Sequence, residues 1–225
     1  MLADLHVWLA CLTLLCSGCC LFGLAYFSPS IVQALGYDST KTQLMTVPPY
    51  ACAFVVTMVC AYCADRYQQR GLCAFVTFGI ALIGAALAVN GRKTNTRYAA
   101  LVLLVTGIFS CAPCLISWVP NNTAGHVRRA TAVAMAFIST SAGGIVSTWI
   151  YPQSSAPYYQ TGIIVNLSLI AIGMFLVVAQ IILLKWLNSR KSTQSADILI
   201  GQGSLVLEEQ LANLGDHHPD YRYTY

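Results

Sequence analysis

The side chains in this sequence that could do chemistry fall into a few short stretches. Asp65-Arg66-x-x-x-Arg70-Gly71 sets one carboxylate beside two guanidinium groups, and Asn121-Asn122 is followed closely by Arg128-Arg129. Such groups form ion pairs, bind anions and cap helix ends. Ser110 and Ser117 offer hydroxyls, and Phe22, Tyr26 and Tyr50 offer aromatic faces, all in apolar surroundings. Cys111-x-x-Cys114 has the spacing of a metal or redox pair, but there is no second pair. All ten cysteines lie in or at the ends of apolar stretches. Buried free cysteine behaves as a small hydrophobe, so neither a disulfide framework nor a metal site is expected. Acid–base and nucleophilic catalysis need a His, Asp or Glu near the reacting atoms. The apolar stretches hold no carboxylate, and His6 and His126 stand at their edges. The sequence implies no catalytic residue, no metal and no cofactor.

The elements that must position these groups follow from the charge pattern. Of 225 residues, 57% are hydrophobic and only 9% are charged, against about 25% charged in soluble domains. No Asp, Glu, Lys or Arg occurs in 5–37, 42–64, 71–91, 98–127 or 130–184. A helix that crosses a bilayer needs about 20 apolar residues. The first four stretches can therefore hold one span each, and the last can hold two. Tyr151-Pro152 and Ala156-Pro157 divide it, because prolines among polar neighbours end a lipid-exposed helix. The expected helices are 6–35, 43–64, 72–90, 98–119, 130–150 and 161–187. This all-α integral membrane class excludes an ordinary soluble enzyme, a nucleic-acid-binding domain and a disordered chain. The unbroken apolar runs argue against a barrel, whose strands alternate. The first stretch has no basic start and runs past Phe27, unlike a cleaved signal peptide.

The net charge of +4 hides a division. Residues 1–191 carry eleven of the twelve Lys and Arg residues, and 192–225 carry five of the eight acids. A six-helix transmembrane domain over 1–191 and a flexible acidic cytosolic tail over 192–225 are expected. Arg66, Arg70, Arg128, Arg129, Lys185, Arg190 and Lys191 fall at one face of the membrane, and Lys41, Arg92, Lys93 and Arg97 at the other. The excess of basic residues at the first face puts both termini in the cytosol.

Several segments together resemble the fungal allantoate-permease group, the anion:cation symporters of the major facilitator superfamily. They are Val47-Pro48-Pro49-Tyr50, Asp65-Arg66-x-x-x-Arg70-Gly71, Trp118-x-x-Asn121-Asn122-x-Ala124-Gly125-His126-x-Arg128-Arg129, Gly143-Gly144 and the tail Gly215-Asp216-x-His218-Pro219-Asp220-Tyr221-Arg222-Tyr223. Members of that group have twelve helices, and this chain resembles helices seven to twelve. The resemblance implies half of a major-facilitator fold, built as two inverted three-helix repeats. Helices one and four would line a central cavity, two and five would flank it, and three and six would face lipid, with Thr77 the main polar side chain of the third.

The resemblance also implies roles. Phe22, Tyr26, Tyr50, Ser110, Ser117, Asn121 and Asn122 would line the substrate pathway. Asp65, Arg66, Arg70, Arg128 and Arg129 would form a cytosolic gate. The activity implied is secondary active transport at the plasma membrane of a small organic anion, such as allantoate, a nicotinate-like carboxylate or a peptide. The partners implied are the lipid bilayer, the anion, protons, and a missing N-terminal half or a second copy, with no nucleic acid. The alternative is a truncated, non-transporting membrane fragment of such a transporter. Two physical points stay open. Asp65 ends a helix, where the negative macrodipole disfavours a carboxylate, so either Arg66 or Arg70 must compensate it. Asn121 and Asn122 either cap helix ends or face the pathway. The small residues of helix five, from Ser139 to Thr148, are read as packing surface in preference to substrate contacts.

Overall fold

The structure, a computed structural model, describes residues 5–33, 38–91, 93–151, 160–201 and 223–224. Six helices follow in order: α1 Leu5–Gln33, α2 Ser39–Tyr67, α3 Arg70–Asn90, α4 Thr94–Asn121, α5 His126–Ile150 and α6 Gln160–Gly201. Each is long and apolar enough to cross a membrane, and the described residues contain no strand. Most helices run further than the charge-free stretches. In hydrocarbon every backbone N–H and C=O must be paired within the helix, and that demand carries the helix on into its polar ends. Asp65 and Arg66 thus lie in the last turn of α2, and α6 continues to Gly201. Apart from the end of α6, Tyr223 and Thr224, the acidic tail lies outside the described residues.

The helices alternate in direction. One end of the bundle gathers Leu5, the α2–α3 turn, the α4–α5 turn and Arg190. The other gathers Ser39, the α3–α4 turn and Ile150. Tyr98 of α4 ties this second end together by donating to the Met45 carbonyl of α2 at 2.9 Å. α1 packs on α5 and α6, while α4 packs on α2 and α3. α1 and α4 cross each other, as do α3 and α6. Exchanging helices one to three with four to six turns the first set of contacts into the second, which is the pattern of two inverted repeats. α1 and α4 are the most buried of the six.

Close helix approach depends on glycine. A Cβ on Gly143 of α5 would collide with the Leu15 carbonyl oxygen of α1. One on Gly107 of α4 would collide with the Ala81 nitrogen of α3. Lipid supplies no hydrophobic drive between helices, so such contacts carry association through packing. The small residues of α5 take part in this packing, as expected.

α3 corrects one expectation. It does not present Thr77 to lipid: Thr77 is fully buried, and its Oγ1 donates to the Cys73 and Ala74 carbonyls at 3.0 Å each. Leu72, Val76, Ile83, Leu87 and Val89 form the outer surface of α3, and the face of Ala74, Thr77, Phe78 and Ala81 turns inward. A hydroxyl satisfied by its own helix enters an apolar interface at little cost, so polarity alone could not set the rotation of α3.

Candidate functional site

The open wall of the bundle starts from the spacing in α1. Trp8, Leu12, Leu15, Phe22, Tyr26 and Pro29 fall on one face at intervals of three, four or seven residues and retain exposed surface, with the buried Cys19 between Leu15 and Phe22. Tyr26 is 65% exposed. Phe22 is half-buried, because its ring lies against Gly144 of α5. On another face of α1, α2 brings in Tyr50. Its hydroxyl shares a hydrogen bond with Ser28 of α1 at 3.1 Å, and its ring meets Phe109 of α4 edge-on at 5.2 Å. Ser28 is buried and lies nearly opposite Tyr26 on α1, so Tyr50 and Phe109 form a second aromatic surface, between α1, α2 and α4.

Two residues expected on the pathway are elsewhere. Ser110 is fully buried between α4 and α2, accepting from Thr57 at 3.0 Å and donating to the Ala53 carbonyl at 3.3 Å. Asn122 is also buried, and its Nδ2 donates to the Trp118 carbonyl at 3.1 Å, closing the end of α4. Each turned inward because a partner there satisfies its polar atoms, which an open apolar wall would not do. Ser117 and Asn121 are half-buried nearby, with Ser117 Oγ donating to the Pro113 carbonyl at 2.8 Å.

The polar end of the bundle answers the question left open for Asp65. Arg70, not Arg66, is its partner: Nη2 lies 2.8 Å from Asp65 Oδ1. Its Nη1 donates to the Ser117 carbonyl of α4 at 2.6 Å. One guanidinium thus joins α2, α3 and α4. Between Asp65 and Arg70 the chain turns at Gln68, which has φ 54°. A non-glycine residue in this left-handed region is strained. Gln68 offsets part of that strain by donating its Nε2 to the Asp65 carbonyl at 2.8 Å. Gly71 follows because the Trp118 ring fills the space beside it; a Cβ there would sit 2.8 Å from Trp118 Cζ2. Arg129 Nε donates to the Thr123 carbonyl at 3.3 Å, and Arg128 lies beside it in the first turn of α5.

Sequence reasoning passed over one cluster at the opposite end. Tyr151, read as part of a loop, is buried between α1, α5 and α6. Its ring stacks on Phe27 at 4.4 Å and covers Gly23 and Gly162, and its hydroxyl accepts from Asn166 Nδ2. Burial pushes its phenol well up, the Cys20 thiol adds to this, and the Asn166 bond pulls against it. Gly162 and Asn166, one helical turn apart in an apolar run, were the available signal.

All ten cysteines are free thiols, and no group among the described residues could hold a metal ion. The described residues offer aromatic surfaces with hydroxyls, and fixed positive charge at one end of the bundle.

Residues 1–148 match the profile of the Major Facilitator Superfamily. The high-affinity nicotinic acid transporter of Saccharomyces cerevisiae is 29% identical over 99% of this chain and 41% of its own length. An uncharacterized transporter of Schizosaccharomyces pombe, C11D3.18C, is 26% identical over 98% of the chain and 42% of its own length. The MFS transporter prlL of a fungal species is 36% identical over 65% of the chain and 30% of its own length. The chain spans between 30% and 42% of the length of these curated relatives.

Proposed function

The chain belongs to the Major Facilitator Superfamily, and from that premise we propose that it is the six-helix unit, equivalent to helices seven to twelve, of a secondary active transporter for a small organic anion. The observations that carry this reading are the exposed Tyr26 of α1 and the aromatic and hydroxyl groups of Tyr50, Ser28 and Phe109 gathered between α1, α2 and α4. Aromatic faces hold a flat ligand, and hydroxyls fix its orientation. A planar carboxylate is the substrate class that suits this wall, and the relative named as a nicotinic acid transporter supports that choice. Within the superfamily we assign the chain to the anion:cation symporters of the allantoate-permease group, so allantoate and short peptides are the other classes to compare.

The spans contain no carboxylate apart from Asp65 at the end of α2. A proton-coupling acid therefore comes from a second unit that completes the cavity. Asp65, Arg66, Arg70, Arg128 and Arg129 form the gate at the end where the basic residues gather. That end is cytosolic, with both termini, and the membrane is the plasma membrane.

The test is uptake of labelled nicotinate, allantoate and dipeptides by yeast lacking its own carriers, with the chain joined to a complementary six-helix unit. Tyr26→Ala is expected to lower uptake about tenfold, the usual scale for losing one well-placed aromatic contact. Thr77→Ala is expected to leave uptake per molecule unchanged, because that hydroxyl is fully buried inside the bundle. Absence of uptake of all three, with the protein present at the cell surface, would overturn the reading.

The orientation has its own test. In a cysteine-free background, Ser39→Cys and Thr94→Cys are expected to react with an impermeant maleimide on intact cells. Gln68→Cys and Val127→Cys, both exposed, react only after permeabilisation. Reaction of Gln68→Cys on intact cells would reverse the topology.

A further inference from the structure

The polar end of the bundle contains a binding arrangement that transport does not require. Asn188 of α6 donates from Nδ2 to the Tyr223 carbonyl at 2.8 Å and accepts at Oδ1 from the Tyr223 N–H at 2.9 Å. Asn122 at the end of α4 accepts at Oδ1 from the Thr224 N–H at 2.9 Å. Trp118 donates from Nε1 to the Thr224 carbonyl at 2.9 Å. Both backbone donors and both backbone acceptors of two consecutive residues are thus paired with side chains of the bundle. The Tyr223 ring is 5% exposed and lies against His6 of α1 at 5.6 Å.

We propose that this end of the bundle is a socket for an extended peptide, occupied by the chain's own carboxyl-terminal end, and that the occupied socket holds Trp118 and through it the Asp65–Arg70 turn. A side-chain amide that pairs with both backbone groups of one residue is a peptide-recognition device for extended main chain, and the burial of the Tyr223 ring against His6 adds selection of an aromatic side chain at that position. Without the tail, the Trp118 N–H and the Asn122 side-chain oxygen lose these partners, and leaving such groups unpaired is costly. The link to the turn is direct. The ring of Trp118 packs on Gly71, and the carbonyl of its neighbour Ser117 takes the Arg70 guanidinium. Charge brings the tail in: residues 192–225 carry five acids against one Arg, while Arg66, Arg70, Arg128, Arg129, Lys185 and Arg190 ring the socket's end of the bundle. The tether makes the binding intramolecular, so modest contacts suffice. The proposal does not depend on the transport reading, because it concerns contacts within the chain.

The experiment measures binding of a fluorescent peptide with the sequence of residues 216–225 to the chain in nanodiscs. The intact chain, its socket filled, is expected to bind the peptide at least about tenfold more weakly than a chain ending at Asp220. Full-length Tyr223→Pro removes the N–H that Asn188 accepts and leaves the socket intact. It is expected to gain binding as the shortened chain does, without relying on truncation. In the shortened chain Asn188→Ala should lose about tenfold or more, since two hydrogen bonds go at once. Gly71→Ala should also weaken binding severalfold, although Gly71 makes none of these hydrogen bonds, because the added methyl displaces the Trp118 ring. A scrambled peptide of the same composition should bind at least about tenfold more weakly than the native one. The socket is overturned if the shortened and Tyr223→Pro chains bind no better than the intact one, or bind the scrambled peptide equally well. An unchanged affinity in Gly71→Ala overturns the link to the turn.

Discussion

Alanine at Gly107 is expected to destabilise the bundle by about 3 kcal/mol, the upper part of the range for overpacking a close-packed site. The same substitution at Gly79 is expected to be neutral or to stabilise by up to about 1 kcal/mol, through helix propensity. A Cβ on Gly107 would collide with the Ala81 nitrogen and come within 2.7 Å of both the Ala81 Cβ and the Thr77 carbonyl oxygen of α3. Backbone atoms cannot rotate away as a side chain can, so the two helices have to separate along their length. At Gly79 nothing lies within 4 Å of the added carbon. Unfolding of the two variants in nanodiscs or mild detergent measures the difference. Equal effects would mean that α3 and α4 do not approach as described.

Arg70→Ala is expected to cost about 2–3 kcal/mol, and Asp65→Asn less than about 1 kcal/mol, although the two residues form one ion pair. The pair itself is weak because Asp65 is 68% exposed and screened by solvent. The larger part comes from the guanidinium bond to the Ser117 carbonyl, a charged hydrogen bond worth about 1.5–3 kcal/mol. It also sets a positive charge at the negative end of the α4 dipole. Arg70→Lys should fall between, because an ammonium group cannot hold both partners in the fork that guanidinium provides. If Asp65→Asn proves as costly as Arg70→Ala in the same unfolding assay, the exposed pair carries the stability and the carbonyl does not.

The site was legible only in part. Tyr26 stays exposed on the wall because it lies beyond the close contacts that α5 makes with Leu15, Cys19 and Phe22 on the same side of α1. Ser110 and Asn122 looked equally suited to that wall. Ser110 instead met Thr57 and the Ala53 carbonyl of α2, and Asn122 met Thr224, more than a hundred positions away. Hydroxyls and amides in a membrane bundle go where a partner is, and the partners come from other helices. Trp118 and Asn188 likewise carry no local mark of a shared task.

By itself the sequence determined how many helices there are, roughly where each ends, and which ends carry positive charge. The reason is local. Lipid forces each span to satisfy its own backbone, and charged residues are excluded from its apolar centre. The sequence also limited the partners of Asp65 to Arg66 and Arg70. The tertiary structure decided which of them binds it, which glycines meet another helix, which face of α3 turns inward and where Tyr223 and Thr224 lie. Each of these depends on the rotation and crossing of helices about their axes. Rotation in a uniformly apolar helix is set by side-chain packing against distant segments, and such a helix carries too little hydrophobic periodicity to reveal it.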